Sequence, residues 1–171
     1  RATIPIRPDG RKLGLPLPSF RELEPHCPPP SSEGFFPDVE GVLFQLQGVC
    51  IRGDGVISGA YQFFGYLAKT GRSVGAVTNN ALKTGAENSA KLASMGIALD
   101  GARIFTSGWA AAQYIAKRSD AAAVFLVGGD ALRTEMEAVG AVESHQPEFV
   151  VAGIDLSLPL QRLSDAVVHV R

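Results

Sequence analysis

The sequence has few of the residues that mark several classes of protein. It contains two cysteines, Cys27 and Cys50, which lie in different segments without the spacing of metal ligands. Free thiols in a reducing compartment are therefore favoured over a disulfide. The cytoplasm, an organelle matrix and a stroma all satisfy this expectation, and a start at Arg1 is compatible with removal of an import peptide.

The sequence also lacks an excess of charge of either sign and a long apolar run. Sixteen basic residues stand against seventeen acidic ones, which gives a formal net charge of −1. Because nucleic-acid-binding proteins usually carry a basic surplus or stripe, we expect no nucleic-acid partner. No apolar run approaches the roughly 18 residues that a membrane-spanning helix needs, so no membrane span is predicted.

Proline is nearly absent after residue 37, since nine of the eleven prolines precede residue 38. Proline lacks a backbone N–H and favours extended conformations, so residues 1–38 are predicted to form an extended arm rather than helix or sheet. A disordered tail is one alternative. The other is an arm pinned against the body of the protein or against a partner, in which case the partners are other protein subunits contacted partly through residues 1–38.

From Val39 onward, apolar strands alternate with amphipathic helices. The predicted strands span residues 42–46, 73–77, 104–105, 122–127 and 149–152. The predicted helices span residues 60–70, 84–95, 109–117, 131–139 and 158–170, with Ser107 and Asp130 as N-caps of the third and fourth. Strict alternation predicts a Rossmann-like α/β fold, with a parallel sheet and helices on both of its faces. Ligands of such sheets bind at the carboxyl ends of the strands.

Four segments carry a resemblance to a known family. They read FQLQGVCIRGDGVISGA from Phe44, GAVTNN from Gly75, KLASMGI from Lys91 and IFTSGWAAAQYI from Ile104. In this order and spacing they resemble the haloacid dehalogenase (HAD) superfamily, in the branch of p-nitrophenyl phosphatases, phosphoglycolate phosphatases and nucleotide monophosphatases. The stretch VVAGIDLSLPLQRLSDA from Val150 resembles the entry into the family's α/β cap. The resemblance implies a HAD-like core over residues 39–145 and the beginning of a cap over residues 146–171.

The family's chemistry depends on two aspartates in the first segment. One attacks phosphorus and the other, two residues later, acts as acid and base, while Mg²⁺ bridges the first carboxylate and the phosphate. The matching positions here are Gln45 and Gln47. An amide is a weak nucleophile without a titrating proton or a charge for Mg²⁺, so no catalytic residue and no metal ligand are expected. In the structural alternative, both amides cap the strand through side-chain hydrogen bonds.

The resemblance also implies a remnant of a phosphate-binding site at Thr78, Asn79, Asn80 and Gly48. Alternatively, Thr-Asn-Asn forms a turn and caps a helix, which asparagine does readily. Both interpretations can hold together. The family places a lysine and further Mg²⁺-binding aspartates after the cap, and no lysine follows Lys117 in this sequence.

The leading hypothesis is a catalytically inactive HAD-like domain that acts as a structural or interaction subunit of a larger assembly, with no cofactor. One alternative is an Mg²⁺-dependent phosphomonoester phosphatase seen as a fragment, and only this alternative requires Mg²⁺. Another is a module that binds a phosphorylated metabolite without cleaving it.

Overall fold

The computed structural model of the protein describes residues 39–170. The predicted arm at residues 1–38, and the partner contact expected of it, lie outside the described residues. The strands are β1 (Gly41–Gln45), β2 (Ile51–Arg52), β3 (Gly55–Val56), β4 (Ser73–Thr78), β5 (Ile104–Thr106), β6 (Ala123–Val127), β7 (Val142–Glu143) and β8 (Phe149–Ala152). The helices are α1 (Ala60–Lys69), α2 (Gly85–Ser94), α3 (Ser107–Ala116), α4 (Asp130–Ala138) and α5 (Leu160–Val170), and a short 3₁₀ helix spans Gly101–Arg103.

The long strands form two three-stranded sheets, ordered β1-β4-β5 and β7-β6-β8, and every pairing within them is parallel. Strands β2 and β3 form a small antiparallel hairpin between β1 and α1. Parallel neighbours require crossover connections, which the intervening helices provide between β1 and β4 and between β4 and β5. The predicted Rossmann-like α/β fold is thereby confirmed.

The first core packs one face of the β1-β4-β5 sheet against α1 and α2. Phe44 on β1 meets the ring of Phe64 on α1 edge to face, with ring centroids 5.3 Å apart. Leu92 on α2 is fully buried in the same cluster. Side chains alternate between the two faces of a strand, so Leu43 points to the opposite face, where it is 61% exposed.

The second core lies around β6, whose side chains alternate between two clusters. Val124 and Leu126 pack with residues of α3 and α4, including Met136. Phe125 and Val127 point the other way and pack with Ala166 of α5, among others. Helices therefore cover both faces of the β7-β6-β8 sheet. Within residues 39–170 no helix combines the length and the apolar character needed to cross a bilayer.

Four of the five predicted helix starts are wrong by one or two residues, and both predicted N-caps are wrong by one. The N-cap of α3 is Thr106 and not Ser107, because the Thr106 Oγ1 accepts a hydrogen bond of 3.0 Å from the Trp109 N–H. The N-cap of α4 is Gly129, and Asp130 is the first helical residue. A carboxylate in the first turn still favours the helix through its charge, without a capping hydrogen bond.

The predicted border between residues 145 and 146 falls between β7 and β8. These two strands flank β6 in one sheet. The division into a core at residues 39–145 and a cap-like segment at residues 146–171 stays a prediction.

Candidate functional site

The carboxyl ends of β1 and β4 lie side by side. Gln45 stands opposite Val77 in the parallel register, and the Leu46 N–H continues the ladder with a hydrogen bond of 2.9 Å to the Val77 carbonyl. Gln47 and Thr78, which follow Leu46 and Val77, therefore leave the sheet at the same edge. This is the edge at which an open parallel sheet binds ligands.

The loop after β1 is a tight turn held by its own backbone. The Gly48 N–H donates to the Ile51 carbonyl at 2.8 Å, and the Leu46 carbonyl accepts from both Cys50 and Ile51 at 3.2 Å. Gly48 has a φ of 84°, a left-handed conformation that favours glycine. Cys50 and Ile51 are buried beneath the turn, and this burial raises the pKa of the Cys50 thiol to about 11. The turn is thus a fixed backbone frame around Gly48.

Gln45 and Gln47 are half-buried at this frame. Neither side chain makes a hydrogen bond to any residue between 39 and 170. The hydrogen bonds that a strand-capping role requires are therefore missing from the described part of the chain. At the strand end, the donors and acceptors of both amide groups have no protein partner within the described residues.

Thr78, Asn79 and Asn80 form a turn, as the structural alternative predicts. The helix cap that the same alternative predicts is wrong, because the N-cap of α2 is Thr84. The Thr78 Oγ1 accepts a hydrogen bond of 3.2 Å from the Asn80 N–H, and the Asn80 Oδ1 accepts one of 2.9 Å from the Leu82 N–H. Thr78 is 4% exposed. Its hydroxyl accepts a hydrogen bond but donates none within residues 39–170. A hydroxyl has one proton to donate, so Thr78 can still serve a ligand oxygen.

The end of β5 brings Thr106 and Ser107 to the site, and neither of them was assigned to it from the sequence. Thr106 stands opposite Thr78 in the register of β4 and β5. The next residue, Ser107, donates a hydrogen bond of 3.1 Å from its Oγ to the Asn79 carbonyl. The sequence signal was the Thr-Ser pair at the end of a short strand, which we interpreted as part of a family segment with Ser107 as a helix cap.

Loops from the second sheet approach the same region. A Cβ built on Gly153, just after β8, would lie 3.7 Å from the Ala81 Cβ and 3.1 Å from Leu132. A Cβ on Gly128, just after β6, would lie 2.6 Å from Leu132. The two glycines therefore leave room for the Leu132 side chain of α4, and Gly153 lies beside Ala81, in the segment that follows the Thr78 turn.

The first acidic residue after β1 is engaged elsewhere. Asp54, in the β2–β3 hairpin, pairs with Lys91 of α2 at 2.9 Å, and the Lys91 hydrogen bond lowers the pKa of the Asp54 carboxyl. No three His, Cys, Asp or Glu side chains within residues 39–170 lie close enough together to hold a metal ion.

The donor set at the strand ends does not fit Mg²⁺. That ion selects anionic oxygen ligands, usually carboxylates with substrate phosphates. Gln45 and Gln47 offer only neutral amide oxygens at the positions where the resemblance expects carboxylates. No step through a metal ion follows from these residues.

The family match covers most of the described region. A profile of the family described as haloacid dehalogenase-like hydrolase matches residues 36–142. An acid sugar phosphatase of Staphylococcus saprophyticus is 35% identical over 131 residues, which make up 75% of this chain and 51% of that protein. The chain thus spans about half the length of the curated relatives it matches.

Solved structures agree with the sequence match. A 4-nitrophenylphosphatase of Thermotoga maritima superposes with a TM-score of 0.73 at 28% identity, over 77% of this chain and 51% of that one. A glycerol phosphate phosphatase of Mycobacterium tuberculosis, solved in complex with magnesium, gives a TM-score of 0.70 at 28% identity, over 78% and 42% of the two chains.

Proposed function

The chain belongs to the haloacid dehalogenase-like hydrolase family, and from this premise we propose that its strand-end site binds the phosphate group of a small phosphomonoester without cleaving it. The proposal is supported by the side chains at the ends of β4 and β1, a hydroxyl donor at Thr78 beside amides at Gln45 and Gln47. At the end of β4, the Thr78 hydroxyl proton has no acceptor among residues 39–170. Gln45 and Gln47 stand beside it at the end of β1, where the family's chemistry needs two aspartates.

The amides suit binding better than catalysis. Each carries an NH₂ group with two donors, which can contact phosphate oxygens that only accept. Neither repels a phosphate dianion, as a carboxylate would. Neither can form an aspartyl-phosphate or transfer a proton near neutral pH, so the ester bond stays intact.

Titration with inorganic phosphate and glycerol phosphate in EDTA, followed by calorimetry, tests this proposal. We expect saturable binding to the wild-type protein. Thr78→Val should weaken binding by about tenfold or more, because a hydrogen bond to a charged group contributes roughly 1.5–3 kcal/mol. Thr70→Val is the matched control, since Thr70 bonds only within the end of α1. Absence of binding, or equal affinity in all three proteins, would refute the proposal.

A second candidate is phosphomonoester hydrolysis by a longer protein that contains this domain. The names of the relatives favour it, because they are an acid sugar phosphatase, a 4-nitrophenylphosphatase and a glycerol phosphate phosphatase. The share of those proteins that this chain spans, about half, favours it too. The test is an assay of that longer protein with p-nitrophenyl phosphate and Mg²⁺. Turnover that survives repurification and disappears in Thr78→Val would select hydrolysis over binding alone.

A structural or interaction role in an assembly remains compatible with either candidate. Its partners are proposed to be other protein subunits. A row of apolar side chains on α5 supports this proposal, since Leu160, Leu163, Val167 and Val170 are each 47–78% exposed. The double change Leu163→Ser and Val167→Ser should shift the elution of the protein in cell extracts from the volume of a complex towards that of the free chain. Unchanged elution would contradict a partner at α5.

A further inference from the structure

The peptide group between Asn79 and Asn80 is held at both of its ends. Its carbonyl oxygen, from Asn79, accepts the Ser107 hydroxyl at 3.1 Å. Its N–H, from Asn80, donates to the Thr78 Oγ1 at 3.2 Å. The carbonyl and the N–H of a trans peptide lie in one rigid plane and point in opposite directions. The two hydrogen bonds therefore fix the rotation of this plane about the chain.

The orientation of this peptide decides what the Thr78 hydroxyl can do. In the observed orientation the Thr78 oxygen receives the Asn80 N–H, and its own proton is left for another acceptor. If the plane turned over, the Asn79 carbonyl would face Thr78 and take that proton. The Thr78 hydroxyl would then donate within its own turn and could not donate to a ligand oxygen.

Ser107 is well placed to prevent this rotation. It is the first residue of α3, and the start of α3 is fixed by the capping bond from the Trp109 N–H to Thr106. Thr106 in turn pairs with Thr78 across β5 and β4. The Ser107 hydroxyl is thus anchored to the neighbouring strand end and not to the turn that it holds.

We infer that Ser107 is a positioning residue of the phosphate site, which holds the Asn79–Asn80 peptide so that the Thr78 hydroxyl donates to the ligand. The inference rests on the proposed function for its ligand, but the restraint on the peptide is a property of the free protein. The two parts are measured separately.

The experiment compares wild type, Ser107→Ala and Ser107→Thr, with Ser94→Ala as the matched control. Ser94 also donates to a backbone carbonyl, that of Lys91 at 2.8 Å, but at the far end of α2. Amide hydrogen exchange of Asn80 is followed by NMR without ligand, and inorganic phosphate is then titrated in EDTA. Loss of one neutral hydrogen bond changes an equilibrium constant by about fivefold.

We expect Ser107→Ala to exchange the Asn80 amide about fivefold faster and to raise the phosphate Kd by about fivefold. Ser107→Thr, which keeps the hydroxyl, and Ser94→Ala should stay within about twofold of wild type in both measurements. Unchanged exchange and affinity in Ser107→Ala would overturn the inference. Faster exchange with unchanged affinity would also overturn it, because the restraint would then not serve the ligand.

Failure of the wild-type protein to bind phosphate has a different meaning. It refutes the proposed function, and with it any role of Ser107 towards a ligand. The exchange rate of the Asn80 amide then decides alone whether Ser107 holds the peptide in place.

Discussion

Thr78 and Thr106 stand opposite each other at the ends of β4 and β5, and both side chains are buried. Each hydroxyl oxygen accepts an N–H from the turn that follows its strand, Asn80 for Thr78 and Trp109 for Thr106. The two strand ends are thus built alike, and Ser107 connects them. This repeated arrangement fixes the backbone at the edge of the sheet where we propose that phosphate binds.

Binding of phosphate is expected to be independent of Mg²⁺ in the wild-type protein. Affinity in EDTA and in excess Mg²⁺ should agree within about twofold, because Gln45 and Gln47 supply no carboxylate for the ion. The double change Gln45→Asp and Gln47→Asp should weaken binding in EDTA, since two carboxylates repel the dianion, and Mg²⁺ should restore it.

Calorimetry in both buffers checks this prediction. The control changes Gln62 and Gln146, both exposed, to aspartate, which adds the same charge away from the strand ends. A tenfold gain in wild-type affinity on addition of Mg²⁺ would contradict the expectation that the amides bind phosphate without a metal.

Two glycines in helices should respond to alanine with opposite signs. A Cβ at Gly85, the first residue of α2, would lie 2.6 Å from the Gly101 carbonyl oxygen, which is backbone and cannot swing away. Gly85→Ala should therefore lower the free energy of unfolding by about 1–3 kcal/mol. A Cβ at Gly65, inside α1, meets nothing within 4 Å, so Gly65→Ala should raise it by about 0.5–1 kcal/mol. Urea unfolding measures both. A Gly85→Ala variant at least as stable as wild type would contradict the tight contact at α2, and a destabilised Gly65→Ala variant would contradict the open space at α1.

The capping box of α2 predicts a loss of stability in acid. Thr84 accepts from the Glu87 N–H, and the Glu87 carboxylate accepts from the Thr84 N–H at 2.7 Å. That backbone hydrogen bond lowers the pKa of the Glu87 carboxyl. The stability that the ionised Glu87 carboxylate contributes is therefore complete above the unfolded pKa of about 4.3. It is lost as the pH falls through the lower folded pKa.

Glu87→Ala should reduce the free energy of unfolding at pH 7 by about 1 kcal/mol, since it removes one half of the box. The difference between variant and wild type should shrink as the pH falls below about 4. Glu137→Ala, an exposed residue on α4, serves as the control. A difference that is the same at pH 7 and pH 3 would show that the ionised carboxylate is not what caps the helix.

Glu135 should have the opposite dependence on pH. Burial raises the pKa of its carboxyl, and the Gly85 backbone N–H only partly offsets this effect. Because the folded protein holds the proton more tightly, stability is highest below the unfolded value of about 4.3 and falls as the pH rises through the higher folded value. Glu135→Gln should flatten that fall. Thermal melts of both proteins between pH 4 and 7 measure the fall. If the melting temperature depends on pH in the same way in wild type and variant, Glu135 does not cause it.

Hydrophobic periodicity in the sequence predicts the cores, whereas the exact first residue of a helix depends on the elements beside it. Alternating apolar residues in β6 and the apolar face of α1 are periodic, so the sequence predicts them directly. Thr106 rather than Ser107 caps α3, because the backbone at the end of β5 aims the threonine hydroxyl at the Trp109 N–H. Pattern reading also missed the β2–β3 hairpin and β7, whose strands are two residues each and too short to show a period.

The amino-acid sequence alone determined the α/β class, the family, and the presence of amides at Gln45 and Gln47, because these depend on residue identity and short-range order. Tertiary structure alone decided that Asn79 is tied to Ser107, 28 residues away, and that Gly153, just after β8, lies beside Ala81, just after the Thr78 turn. Contacts of this kind arise where separate strand ends meet. Their geometry depends on strand register and helix packing, which residue periodicity does not encode.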